Sequence, residues 1–129
     1  MWKPNIDDEY YSVSSNYESP PCLLYYWNYT CDSKLVKNFG AFKTEEQAEK
    51  VRKQIILMNL LWQLKFALCP DYEFKNSTEN CFIEFEGNKR RFYLTNRDYN
   101  LLTPGFDRES VEKAVKYLNT HKELWENLL

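Results

Sequence analysis

Glycine occurs only three times in this 129-residue chain, at Gly40, Gly87 and Gly105. Phosphate-cradling loops and dinucleotide-binding turns need clustered glycines so that backbone amides can approach phosphate, and both are excluded. The single histidine, His121, leaves little room for Ser–His or Cys–His nucleophilic catalysis. Cys22, Cys31, Cys69 and Cys81 form no C-x-x-C pair, the short spacing by which zinc sites usually announce themselves. No metal and no cofactor are therefore expected. No run of 18 apolar residues is present, as a membrane-spanning helix would need. The polar, acidic opening through Asp7, Asp8 and Glu9 does not read as a secretion signal. The expectation is an intracellular protein with its cysteines as thiols. Two Asn-x-Thr sequons, starting at Asn28 and Asn76, have no secretory context and read as chance.

Charge is scarce in the net sense: 17 Lys and Arg against 19 Asp and Glu give −2. Nucleic-acid binders usually carry a basic surplus, and none is visible. The carboxylate clusters Asp7-Asp8-Glu9 and Glu45-Glu46 read as a solvated flank and a helix-dipole device rather than a glycosidase-like pair. Nothing here reads as an enzyme.

Aromatic residues are plentiful at 17 % of the chain. Such side chains fill cores and also concentrate at interfaces. Residues 9–13 and 22–28 are aromatic and aliphatic runs suited to strands, with Pro20-Pro21 before the second. Residues 30–38 are polar and read as a loop. Thr44 with Gln47 three positions on forms a capping box, opening a helix over 45–68 that Pro70 stops. The spacing of Ala48, Val51, Ile55, Met58, Trp62 and Phe66 is helical. Residues 81–95 read as a hairpin turning at Gly87-Asn88, which pairs Glu86 with Lys89, Glu84 with Arg91, Ile83 with Phe92 and Cys81 with Leu94. Asp107 can cap a last helix over 108–126, with Val111, Ala114, Val115, Leu118, Trp125 and Leu128 on its apolar face.

Strand–strand–helix thus occurs twice, over about 9–69 and 80–129, with an aromatic (Phe42, Phe106) just before each helix cap. This is a weak internal repeat. The predicted fold class is α+β: a single domain over 1–129 in which the two hairpins merge into one antiparallel sheet with both helices packed on one face.

The helix over 45–68 is apolar around most of its circumference, which one sheet face does not require. Part of a Leu57, Leu61, Leu64 and Leu68 stripe is therefore expected to stay uncovered, as an interface for a target or a second copy. The other candidate partner-binding surface is the cluster Tyr10, Tyr11, Tyr25, Tyr26, Trp27 and Tyr29. The alternative from another class is a nucleic-acid or nucleotide binder using Lys89, Arg90 and Arg91 beside Phe92 and Tyr93, the mixture of bases and rings that single-strand binders use. A structural virion component is a third reading.

Trp2-Lys3-Pro4, the strand at 9–13, Trp27, and Phe-Gly-x-Phe-Lys-Thr-Glu-Glu-x-Ala-Glu at 39–49 resemble small uncharacterised proteins of bacteriophages and prophages. The resemblance covers roughly the first half of the chain. The stretch at 14–21 and the strongly apolar helix depart from the pattern. What it implies is a setting: an accessory protein in the bacterial cytoplasm that binds a host or defence protein, as inhibitors of CRISPR systems do.

Overall fold

A computed structural model describes residues 1–129 apart from Glu18, Asn28, Ser77 and Thr78. Both sequons, and the last residue of the strand expected over 22–28, involve positions outside the described residues. The elements in order are β1 (Glu9–Ser12), β2 (Cys22–Tyr25), α1 (Thr30–Lys37), α2 (Glu45–Leu68), β3 (Asn80–Glu86), β4 (Arg91–Arg97) and α3 (Arg108–Thr120), followed by two short 3-10 turns. The class is α+β, as predicted. The hairpins do not merge, however: β1 pairs with β2 and β3 with β4 as two separate two-stranded sheets. The single domain of the sequence reading also divides, into compact units Met1–Ile56 and Leu57–Leu129, so the boundary falls inside α2.

The first unit holds the β1–β2 hairpin, α1 and the start of α2. Its register sets Glu9 opposite Tyr25, Tyr10 opposite Leu24, Tyr11 opposite Leu23 and Ser12 opposite Cys22. Side chains alternate across a sheet, so Tyr10 and Ser12 point to one face, where both are buried. Glu9, Tyr11, Leu23 and Tyr25 share the other.

The loop expected over residues 30–38 is a helix instead. Its composition is poor in strong helix formers, and tertiary bonds hold it. Asp32 accepts from the backbone amides of Trp27 (3.1 Å) and Tyr29 (3.2 Å) and from the buried Tyr10 hydroxyl (2.6 Å). The helix closes with a Schellman turn: Gly40 N–H donates to the Leu35 carbonyl at 2.7 Å and Phe39 N–H to Val36 at 3.2 Å. The left-handed position that glycine normally fills there is taken by Phe39, at φ 60°. Gly40 comes next because a Cβ there would lie 3.1 Å from the Leu35 side chain.

The Asp32 knot also fixes a pH response. The Tyr10 hydroxyl and two backbone amides hold the Asp32 carboxyl below its ordinary range, while burial, followed by the hydrogen bond to Asp32, raises the Tyr10 phenol above its own. A depressed acid stabilises the fold above its unfolded pKa, about 4 for aspartate, and loses that contribution as pH falls through the folded value. A raised phenol acts in the opposite sense: its contribution is present below an unfolded pKa of about 10 and fades as pH rises through the folded value. Thermal melts across pH are therefore expected to show a plateau between these limits. In Asp32→Asn the acid limb flattens relative to wild type. Equal acid sensitivity in both proteins would exclude the knot as its source.

The second unit contains the main core. The start of α2, which lies in the first unit, has the expected reciprocal cap between Thr44 and Gln47 (3.2 and 3.3 Å). Past its end at Leu68, the buried Lys65 ammonium donates to the Pro70 and Tyr72 carbonyls at 3.0 and 2.7 Å. Asp107 caps α3 through the Ser110 amide at 2.8 Å, also as expected. Leu57 and Leu61 of α2 join Cys81, Ile83, Phe92, Phe106, Val111, Ala114, Leu118 and Trp125 in one buried cluster. One face of the β3–β4 hairpin is thus covered by both helices. The last helix was expected to run to residue 126 but stops at Thr120, and Trp125 reaches the core from the following 3-10 turns.

The β3–β4 register differs from the sequence reading by two residues. Glu86 faces Arg91, Phe85 faces Phe92 and Ile83 faces Leu94, with residues 87–90 forming the loop. Either common two-residue turn at Gly87-Asn88 would have required positive φ at Gly87, which it does not have. Arg90 alone in that loop takes it, at 47°. The carboxylate partners change accordingly: Arg91 pairs with Glu86 at 3.1 Å, Lys89 lies 3.8 Å from the same Glu86, and Glu84 pairs with Arg97 at 3.0 Å.

Each unit carries an isolated bridge beside its first strand. Tyr11 of β1 forms an isolated antiparallel bridge with Phe42, and Cys81 of β3 does the same with Phe106. In each unit the aromatic before the helix cap therefore lines the outer edge of the first strand.

Candidate functional site

The aromatic surface of the first unit is built on the open face of β2 and the segment after it. Leu23 and Tyr25 project from the strand, about half exposed. Trp27 and Tyr29 follow at 54 % and 66 % exposure. The Asp32 carboxylate grips the amides of Trp27 and Tyr29, so this apolar segment is held by hydrogen bonds while its rings face outward. Of the candidates named from sequence, Tyr25, Trp27 and Tyr29 are exposed, and Tyr11 and Tyr26 are half-buried. Tyr10 is a correction: it is fully buried, with its hydroxyl on Asp32, and cannot meet a partner. Strand alternation separates it from Tyr11, a signal available in the sequence.

Sequence reasoning left four residues of this unit out of the candidate surface. Leu23 was read only as strand. Trp2, Phe39 and Phe42 line an apolar cavity of about 310 Å³ together with Pro4 and Val36. Phe39 is among the most exposed rings of the unit and sits in the left-handed conformation, which is costly for a bulky side chain. Its sequence signal is the Asn-Phe-Gly at a helix end, where glycine would be expected one position earlier.

In the second unit the leucine stripe splits. Leu57 and Leu61 are core residues, which corrects their assignment to a partner surface. Leu64 and Leu68 are half-buried and line a shallow groove of about 570 Å³ with Leu60, Ala67 and Tyr117. The basic–aromatic cluster is also corrected in part. Phe92 is buried and packs edge-on against Trp125 at 4.8 Å, so it cannot stack on a base. The Tyr93 hydroxyl donates to Glu84, and that hydrogen bond, followed by burial, raises the phenol pKa. Arg90 donates to the Glu126 carbonyl.

His121 caps α3, its ring stacked on Tyr117 at 4.2 Å and its Nδ1 2.9 Å from the Tyr117 carbonyl oxygen. Cys22 and Cys31 are exposed, while Cys69 and Cys81 are buried. Burial raises the Cys81 thiol pKa, with Arg108 opposing, so it is a poor nucleophile. Among the described residues no helix is long and apolar enough to cross a membrane, and no group of His, Cys, Asp and Glu is placed to hold a metal ion. No protein-family profile, curated protein or solved structure matches this chain.

Proposed function

We propose that the chain is a non-enzymatic protein-binding module whose contact surface is the aromatic segment around Tyr25, Trp27 and Tyr29. The observation that carries this reading is the exposure of these rings on a backbone pinned by Asp32. Large, pre-ordered aromatic side chains give contact area at little entropic cost, and Trp and Tyr dominate interface hot spots. The resemblance to phage proteins gives the reading its specific form, an inhibitor of a host or defence protein in the bacterial cytoplasm.

Affinity capture from bacterial lysate tests it, using wild type and Trp27→Ala/Tyr29→Ala in parallel. Wild type is expected to retain a discrete protein at moderate salt, and the variant to lose it with an unchanged circular dichroism spectrum. Equal retention by both would remove this surface from the function. Retention of nucleic acid that collapses as salt rises would favour a phosphate-binding mode instead.

A further inference from the structure

The edges of the two sheets are treated unequally. The outer edge of β3 is bridged by Phe106, and that of β1 by Phe42. The outer edge of β4 is met by the Asn119 side chain, which accepts from Phe92 N–H at 2.8 Å and donates to the Phe92 carbonyl at 2.9 Å. Its amide thus does what a neighbouring strand would do. The outer edge of β2 has no such device among the described residues. Tyr11 turns its own N–H and C=O outward to Phe42, so its cross-strand partner Leu23 sits at a non-hydrogen-bonded pair. The antiparallel alternation then directs the N–H and C=O of Leu23 and Tyr25 away from β1.

Native proteins blunt open edges with charged side chains, above all lysine. Residues 22–27, Cys-Leu-Leu-Tyr-Tyr-Trp, carry none, and Leu23 and Tyr25 lie about half exposed beside the open groups.

We propose that β2 pairs with β2 of a second copy of this chain, giving a continuous four-stranded antiparallel sheet across a two-fold axis. The outward groups define the register. Leu23 faces Tyr25 of the second copy, Tyr25 faces its Leu23, and the two Leu24 residues meet at the axis. Each copy supplies the donors and acceptors the other lacks, as an isologous interface requires. Both cross-strand pairs set a leucine beside a tyrosine ring, so pairing removes apolar surface from water. No like charges meet, which is why a second copy suits this edge better than a charged strand. Pro20 and Pro21 limit how far pairing can extend beyond Cys22, because they have no N–H to give. Tyr25 belongs to both surfaces, its backbone to the pairing and its ring to the target contact, but light scattering reads mass alone: a chain that dimerises yet captures nothing would sink only the proposed function.

Light scattering on the purified chain over about 1–100 µM tests the pairing. Wild type is expected to approach twice the 15.6 kDa chain mass as concentration rises. Leu23→Lys/Tyr25→Lys and Leu23→Glu/Tyr25→Glu should each weaken self-association by at least about tenfold, since each places like charges opposite one another. Their equimolar mixture should restore the dimer as a heterodimer, because the same register then sets Lys against Glu. That rescue also shows that both variants fold. A monomeric wild type, a doubly charged variant that still dimerises, or a mixture that stays monomeric would each overturn the proposal.

Discussion

Trp125→Ala is expected to cost the Leu57–Leu129 unit about 3–5 kcal/mol, the range for deleting a buried aromatic. The indole is almost wholly buried and stands against Phe92 at 4.8 Å and Phe85 at 5.5 Å. Its Nε1 donates to the Leu118 carbonyl at 2.8 Å, at the end of α3 where intrahelical partners run out. One side chain therefore fills the space between hairpin and helix and also terminates the helix. At about 0.05–0.15 kcal/mol per residue, a unit of this size has about 4–11 kcal/mol in all, so that loss is a large share of it. Guanidinium melts followed by near-ultraviolet circular dichroism should show the midpoint falling well below that of wild type. Trp125→Phe should fall between wild type and alanine. A loss below about 1 kcal/mol for alanine would mean the tail is not part of the core.

Leu57→Glu should unfold the same unit, whereas Leu64→Glu should not. Leu57 belongs to the buried cluster with Ile83, Phe92 and Val111. A carboxylate there has no partner, and burying an unpaired charge costs several kcal/mol even after the pKa rises to neutralise it. The Leu64 side chain is half-buried at the edge of the groove with Leu60 and Tyr117, where a glutamate can turn to water at a cost of about 1 kcal/mol or less. The sequence reading placed both leucines on a stripe expected to stay partly uncovered, where either change would leave the fold intact. The two positions lie seven apart on one stripe, yet they meet different surroundings. Thermal melts of the single variants distinguish the cases directly. A Leu57→Glu protein melting like wild type would remove Leu57 from the core.

The starts of α2 and α3 and the stop of α2 were legible because their chemistry is local: Thr44 with Gln47, Asp107 with Ser110, and Pro70 after Leu68. The faces of the second hairpin were legible too, but its register was not. A slip of two residues leaves every side chain on its own face, so the apolar pattern fits both pairings equally well. The tempting Gly87-Asn88 turn decided in favour of the wrong one. In the structure, a longer loop with Arg90 left-handed allows Glu86 to meet Arg91 and Phe85 to meet Phe92. The helix at Thr30–Lys37 was illegible for a different reason. It rests on a bond between Tyr10 and Asp32 that closes across 22 residues, and no local window contains both. The same bond took Tyr10 out of the candidate surface while leaving Tyr25, Trp27 and Tyr29 on it.

The Asn119 amide against Phe92 has a consequence in time. A hairpin such as β3–β4 closes in microseconds, but the group that seals its outer edge lies 27 residues further along the chain. The seal arrives only when α3 docks. During synthesis, and at each refolding, the second unit therefore passes through a stage in which β4 is formed and still able to recruit a foreign strand. Such half-finished sheets are where misassembly begins.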